Sequence, residues 1–270
     1  MPELPEVETS VQAIQKFKNQ TIESIEIFNP NLRWKVNTQD FQKLHGKKVL
    51  NITRRAKYIM LNFGEFEILI HLGMTGTLRI TDKYSNLYKK HDHVELIFGT
   101  EKIIFNDPRR FGSFHFISNV ENHFLLNSLG PEPLSKKFDG AYLFNKIKKS
   151  KSPIKNALMN QKNVVGIGNI YANEILFDAK IRPTRKCKTL TKKENMRIVD
   201  STKKILKLAI KAGGTTLQDF YRPDGNKGYF KIDLAVYDRA GKCCLFCKKE
   251  EITRIIQAQR ATFFCKKCQS

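Results

Sequence analysis

Near the start of the chain, apolar residues recur at helical spacing, and through most of the first half they follow a strand rhythm. Val7, Val11, Ile14 and Phe17 fall three and four residues apart, which predicts a helix over residues 5–17 with that stripe facing a core. Pro5 suits the first turn, where its missing N–H costs nothing, and Glu6 and Glu8 complement the positive end of the helix dipole. From about Thr21 to Ile117, short runs rich in Ile, Val, Phe and Leu alternate with turn residues. Strands are predicted at 21–28, 48–52, 58–63, 66–71, 77–80, 94–98 and 102–105, the pattern of an all-β sandwich or barrel.

The texture then changes. Residues 118–140 read as a linker stiffened by Gly130-Pro131-Glu132-Pro133. Helices dominate afterwards. Ser152-Pro153 reads as a cap followed by a proline at the first helical position, and further helices are expected at 169–178 and 192–212, the latter stopped by Gly213-Gly214. Residues 219–231 are polar and glycine-bearing, a long loop. The fold class is therefore α+β and multidomain. An N-terminal helix and β-sandwich (1–117) lead through the linker to a helical domain (141–235) and a cysteine-bearing module (236–270).

Charge sharpens the picture. Lys and Arg number 48 against 26 acidic residues, a net charge of +22, and a chain this basic commonly neutralises a polyanion, most often nucleic acid. No apolar run approaches the length needed to cross a bilayer. The opening Met1-Pro2-Glu3-Leu4-Pro5-Glu6 is acidic and proline-broken, unlike a signal peptide. A cytoplasmic protein without membrane contact is expected, and, with no heptad pattern, a monomer.

Of 6 cysteines, four form two pairs: Cys244-x2-Cys247 and, after 17 residues (248–264), Cys265-x2-Cys268. Two such knuckles are a strong signature of one tetrahedral structural Zn2+. Cys243 offers a competing register, but it would break the two-residue knuckle, which favours Cys244. The segment between the knuckles can form a β-hairpin presenting Gln257, Gln259 and Arg260 near its far end, with Arg260 a candidate phosphate contact. A module this small needs its metal to fold.

Six segments, in order, carry a resemblance: Pro2-Glu3-Leu4-Pro5-Glu6-Val7-Glu8-Thr9, Arg54-Arg55-Ala56-Lys57-Tyr58, His71-Leu72-Gly73-Met74-Thr75-Gly76, Asp107-Pro108-Arg109-Arg110-Phe111-Gly112, Val165 to Glu174, and Gln259 to Cys265. The chain resembles bacterial formamidopyrimidine-DNA glycosylases, in the group that also holds endonuclease VIII, over essentially its whole length. The resemblance implies a helix-two-turn-helix domain, a four-cysteine zinc finger and a bifunctional DNA glycosylase and abasic-site lyase acting on duplex DNA with oxidised bases or abasic sites.

It also implies residue roles. The α-amine of Pro2, freed once Met1 is removed, is the nucleophile; an α-amine with a pKa near 8 is partly neutral at working pH. Glu3 is the general acid/base at the opening sugar. Glu6 shapes the site. Lys57 transfers a proton in β-elimination and contacts phosphate, and Arg260 serves δ-elimination. Met74, Arg109 and Phe111 enter the duplex where the damaged nucleotide is extruded, Met and Phe replacing stacking and Arg bonding the orphaned base. Asn169 holds the backbone, and the Gly166 and Gly168 amides can approach phosphate. His91, Lys151 and Lys155 are further phosphate contacts, although the lysine run 146–155 also reads as a solvated face, and Ser150 stands where some relatives carry lysine. The 219–231 loop lies where the family has its lesion-recognition loop.

Three other readings draw on these features. An endonuclease VIII-type enzyme for oxidised pyrimidines shares nucleophile, fold and zinc, but Leu4 and the Met74, Arg109, Phe111 set favour purines. A non-catalytic damage-binding zinc protein would have no need of Pro2, Glu3 and Lys57 together. A zinc-ribbon RNA binder would be expected to show aromatic platforms, whereas the chain has 1 Trp and 8 scattered Tyr.

Overall fold

The computed structural model describes residues 2–85, 88–118, 123–214 and 234–270. The 219–231 loop and Met1 lie outside the described residues. The described residues form two compact units, one within residues 2–127 with 212–214 and the other within 128–211 with 234–270.

In the first unit the predicted helix is α1 (Leu4–Ile14), and a 3-10 turn (Gln15–Phe17) completes the predicted span. Val7, Val11, Ile14 and Phe17 are all buried, as their spacing required. A short helix α2 (Thr38–Phe41), capped by Asn37, is an addition to the expected elements. Two four-stranded antiparallel sheets follow. One has the order β1 (Ser24–Ile27), β6 (Asp92–Phe98), β7 (Glu101–Asn106), β5 (Thr77–Asp82). The other has β2 (Asn51–Arg55), β3 (Tyr58–Asn62), β4 (Glu67–His71), β8 (Ser113–Ile117). Inward residues of both, among them Ile59, Leu61, Ile70, Leu96, Ile103 and Phe105, join the α1 stripe in one core. The β-sandwich is thus the observed solution.

The second unit packs α3 (Gly140–Ile147), α4 (Ile154–Met159), α5 (Asn169–Asp178) and α6 (Lys192–Lys211) around Phe138, Leu143, Ile154, Tyr171, Ile175 and Ile198. Gly130 and Pro131, expected in a linker, hydrogen-bond within this unit, to Gln161 and Val165. Ser152 does not cap α4. Pro153 takes the cap position with φ −59 and ψ 144, and no side chain caps that end. The isolated pairing of Pro153 with Lys186 holds this stretch extended, so the helix starts one residue late. The chain ends in a hairpin of β9 (Ile252–Gln257) and β10 (Arg260–Cys265), registered from Ile252 opposite Cys265 to Gln257 opposite Arg260.

Candidate active site and nucleic-acid interface

Pro2 and Glu3 sit at the mouth of α1. Glu3 is its N-cap, extended at φ −105 and ψ −172, in a reciprocal capping box. The Glu3 side chain accepts from the Glu6 amide, and the Glu3 amide donates to Glu6 Oε2 at 2.9 Å. Both carboxylates are buried, Glu3 at 2% and Glu6 at 0% exposure. Burial here is tolerated because the helix end supplies N–H donors and a favourable dipole. Through the box, Glu6 fixes the backbone of Glu3, the residue after Pro2.

Lys57 lies in the two-residue turn between β2 and β3, behind Ala56 at φ 55, and is 8% exposed. Arg54 ties this turn to α1: its Nε donates to Glu8 Oε2 at 2.7 Å and its Nη1 to the Ala56 carbonyl at 2.9 Å. One guanidinium thereby couples the helix carrying Glu3 to the turn carrying Lys57. His71, which the sequence places in a motif but gives no role, packs at a tilt against Tyr58 with ring centroids 4.9 Å apart and accepts from the Gly73 amide at Nδ1 (3.0 Å). Burial, then the charges of Lys57 and Arg33 and the neighbouring His115, lower its pKa to about 4. His115 is likewise lowered to about 4, by burial and by His123. Lys57, Arg33 and a neutral imidazole form an electropositive cluster suited to a phosphate.

Those two histidines have a consequence for stability. The unfolded chain, with His near 6.5, binds more protons than the fold between pH 6.5 and 4, so stability falls as pH drops through that window. The unfolding free energy of the first unit, measured in urea, should fall over that range, by up to about 3 kcal/mol for each histidine. His71→Gln, which retains an acceptor for Gly73, should flatten the fall.

The structure brings Met74, Arg109 and Phe111 together. Thr75 Oγ1 donates to Asp107 Oδ1 at 2.6 Å, the Gly112 amide donates to Asp107 Oδ2 at 2.7 Å, and the Arg109 amide donates to Thr75 Oγ1 at 3.3 Å. Gly73, at φ 64, lets the two loops touch, since a Cβ there would lie 2.4 Å from the Gly112 nitrogen. On this braced base Met74 is 40% and Phe111 43% exposed, and the Arg109 guanidinium sits 4.7 Å from the Phe111 ring. His91, half-buried at φ 76, adjoins them, its carbonyl accepting from the Asp107 amide at 3.0 Å. Exposed apolar side chains on so tightly held a frame suit insertion between bases.

In the second unit Lys151 is exposed, but Lys155 departs from expectation. It is 1% exposed, and its ammonium donates to Thr262 Oγ1 at 2.6 Å and to the Ala261 carbonyl at 3.0 Å. A phosphate contact is not open to it. The reason lies in α4, where Ile154, Ala157 and Leu158 are core residues and turn position 155 inward with them. Gly166 also departs: its amide donates to Gln161 Oε1 at 2.8 Å, leaving none for phosphate.

Asn169, half-buried at the start of α5, donates from Nδ2 to the same Ala261 carbonyl at 3.1 Å. Asn173 Oδ1 accepts from the Phe263 amide at 2.8 Å. Glu174, unassigned by the sequence reading, accepts from the amides of Ala235, Val236 and Tyr237 at 2.8–3.0 Å, while burial still raises its pKa. Together α4 and α5 clamp β10. At its tip Ala258 and Gln259 both have positive φ, 47 and 59, making the tight turn that leaves Arg260 exposed. Because Lys155 braces β10 from inside, Lys155→Met should lower the stability of this unit by about 1–3 kcal/mol. It should leave the slope of DNA affinity against salt unchanged, whereas loss of a phosphate contact reduces that slope by about 1. Salt titrations of both proteins separate the two.

The sulfurs of Cys244, Cys247, Cys265 and Cys268 all lie within 4.8 Å of one another, and Cys243 is not among them. Cys244 and Cys268 are 3.8 Å apart and Cys247 and Cys265 3.7 Å. Tetrahedral Zn2+ with bonds of about 2.3 Å requires S···S edges of about 3.8 Å. Four sulfurs leave no position for a reactive water. Among the described residues no helix is long and apolar enough to cross a membrane.

Residues 1–114 match the formamidopyrimidine-DNA glycosylase N-terminal domain, and residues 129–221 match the H2TH domain of the same enzymes. Formamidopyrimidine-DNA glycosylase of Photorhabdus laumondii is 45% identical over 271 residues, covering all of both chains, and that of Haemophilus influenzae 43% over 271 residues, covering 100% of this chain and 99% of the relative. Among solved structures, a Lactococcus lactis Fpg mutant in complex with a Fapy-dG containing DNA superposes with a TM-score of 0.90 at 36% identity over all of both chains. Lactococcus lactis Fpg with an abasic site containing DNA gives 0.90 at 35% identity over 99% of each. A helix-bearing β-sandwich, an H2TH domain and a four-cysteine hairpin in one chain define a base-excision-repair glycosylase with abasic-site lyase activity. The chain belongs to the formamidopyrimidine-DNA glycosylase family.

Proposed function

We propose that this protein removes oxidised purines, 8-oxoguanine and formamidopyrimidines, from duplex DNA and then cuts the strand, with Pro2 as nucleophile. What supports the reading most is the buried capping box, which fixes Glu3, the residue after Pro2, on the element that Arg54 ties to the Lys57 turn. With Met1 removed, the neutral Pro2 amine attacks C1′ and the base leaves with its bonding pair. The attached nitrogen releases its proton, its freed lone pair forms the C1′=N bond as the C1′–O4′ bond breaks, Glu3 gives a proton to the departing ring oxygen, and a cationic iminium remains. That cation acidifies C2′, Lys57 accepts the proton, and the 3′ phosphate departs in β-elimination. Arg260 assists the δ-elimination that expels the 5′ phosphate.

Met74, Arg109 and Phe111 fill the space of the extruded nucleotide. His91, Lys151 and Asn169 contact the backbone, joined by His71. Cys244, Cys247, Cys265 and Cys268 hold one structural Zn2+ that folds the hairpin and presents Arg260. The relatives are bacterial, and the reading is of a monomer acting on the chromosome in the bacterial cytoplasm. The test is strand cleavage of duplexes carrying one lesion each. The reading requires cleavage at 8-oxoguanine opposite cytosine well above that at an oxidised pyrimidine. The reverse preference makes the enzyme endonuclease VIII-like, and binding without cleavage of either makes it a damage binder.

A further inference from the structure

Leu245 and Phe246 fill the two positions between Cys244 and Cys247 and are 51% and 67% exposed. A knuckle needs its thiolates and its backbone turn, not large apolar side chains pointing into water, and neighbouring exposed apolar groups mark interaction surfaces. Phe246 is also held in place. The Lys180 ammonium lies 3.8 Å from its ring centroid and 4.6 Å from that of Phe177, a cation between two rings. One side of the Phe246 ring is thus occupied while most of the side chain stays open. Exposed Lys242, Lys248 and Lys249 flank the pair, and Lys266 and Lys267 stand on the adjoining knuckle. Glu250 and Glu251 are the only acids between residues 242 and 267.

This end of the hairpin is remote from its tip. β10 runs from Arg260 to Cys265, so at about 3.3 Å per residue some 16 Å separates the knuckle from Arg260. Lysines alone would suit phosphate, but phosphate has no use for the two apolar side chains. A second copy, itself carrying +22, is repelled. An acidic segment with an apolar anchor complements both the lysines and the rings.

We propose that the Cys244–Cys247 knuckle is a docking surface for an acidic protein segment bearing an aromatic or aliphatic anchor, the anchor packing on Phe246 and Leu245 and the carboxylates meeting the surrounding lysines. The test uses the full-length protein and a fluorescein-labelled peptide of consecutive aspartates ending in Leu-Phe, followed by anisotropy. Binding should weaken about tenfold or more in Phe246→Ser, in Lys248→Glu/Lys249→Glu, and when the peptide's Leu-Phe is replaced by Ser-Ser. Metal content and DNA cleavage of Phe246→Ser should match the parent protein. A short duplex should leave the peptide bound. Equal binding of the Ser-Ser peptide, or no effect of Phe246→Ser in protein that retains its metal, overturns the proposal. So does displacement by the duplex, or a dimer that Phe246→Ser dissolves.

Discussion

Glu3→Gln should lower base excision by about 10²–10⁴-fold while leaving the fold intact. The two effects separate because Glu3 serves two purposes through different properties of one group. As a cap it needs only an oxygen that accepts from the Glu6 amide, and the Gln carbonyl supplies that. As an acid it needs a proton to give to the opening sugar, and a carboxamide has none. Thermal stability should therefore change by less than about 1 kcal/mol. Glu3→Ala, by contrast, removes acceptor and acid together and should cost about 0.5–2 kcal/mol as well as activity. Single-turnover base release, measured beside calorimetric unfolding of both variants, checks this. A Glu3→Gln protein with normal base release would reduce Glu3 to a helix cap.

Loss of the metal should have the larger effect on structure and a comparable one on function. The third cluster of buried residues is small, Phe177, Val236, Cys244, Ile252, Phe263 and Cys265, and two of these six are the proposed ligands themselves. A structural zinc contributes about 10–16 kcal/mol of apparent binding energy in small fingers, far beyond what so few side chains supply. Cys265→Ser should abolish stoichiometric zinc, unfold the hairpin and remove strand cleavage. The β-sandwich, with its own core, should keep its cooperative transition. Cys243→Ser, outside the sulfur cluster, should keep its zinc and its activity. Metal analysis by mass spectrometry together with a nicking assay distinguishes the pair.

What the sequence carried plainly was whatever local spacing determines. The stripe Val7, Val11, Ile14, Phe17 located α1 and its buried face, and the two Cys-x2-Cys knuckles located the sulfur cluster and chose Cys244 over Cys243. Motif order, not periodicity, led to the family. Strand β8 was not separately legible: Ser113, Phe114 and Ile117 are buried and His115 and Phe116 half-buried, so no period of two appears. The burial of Lys155 is not legible because a lysine in a lysine run has the sequence pattern of a solvated face. Its partners Ala261 and Thr262 are more than a hundred residues away in sequence and invisible locally. Glu174 was hidden similarly, in a helix buried on nearly every side, where no polar stripe distinguishes a structural carboxylate from a stray one. The same holds for Arg54, whose bonds to Glu8 and Ala56 become visible only once α1 lies against β2.

The central claim is that the Pro2 amine forms the covalent bond to damaged DNA. The direct measurement is reductive trapping: borohydride is added during reaction with a duplex carrying 8-oxoguanine opposite cytosine, and the crosslinked peptide is identified by mass. The account predicts an adduct on a peptide beginning at Pro2, absent when Met1 is retained, since an amide nitrogen cannot form the iminium. An adduct on Lys57 or any other amine, or strand cleavage that proceeds with Met1 in place, would contradict it.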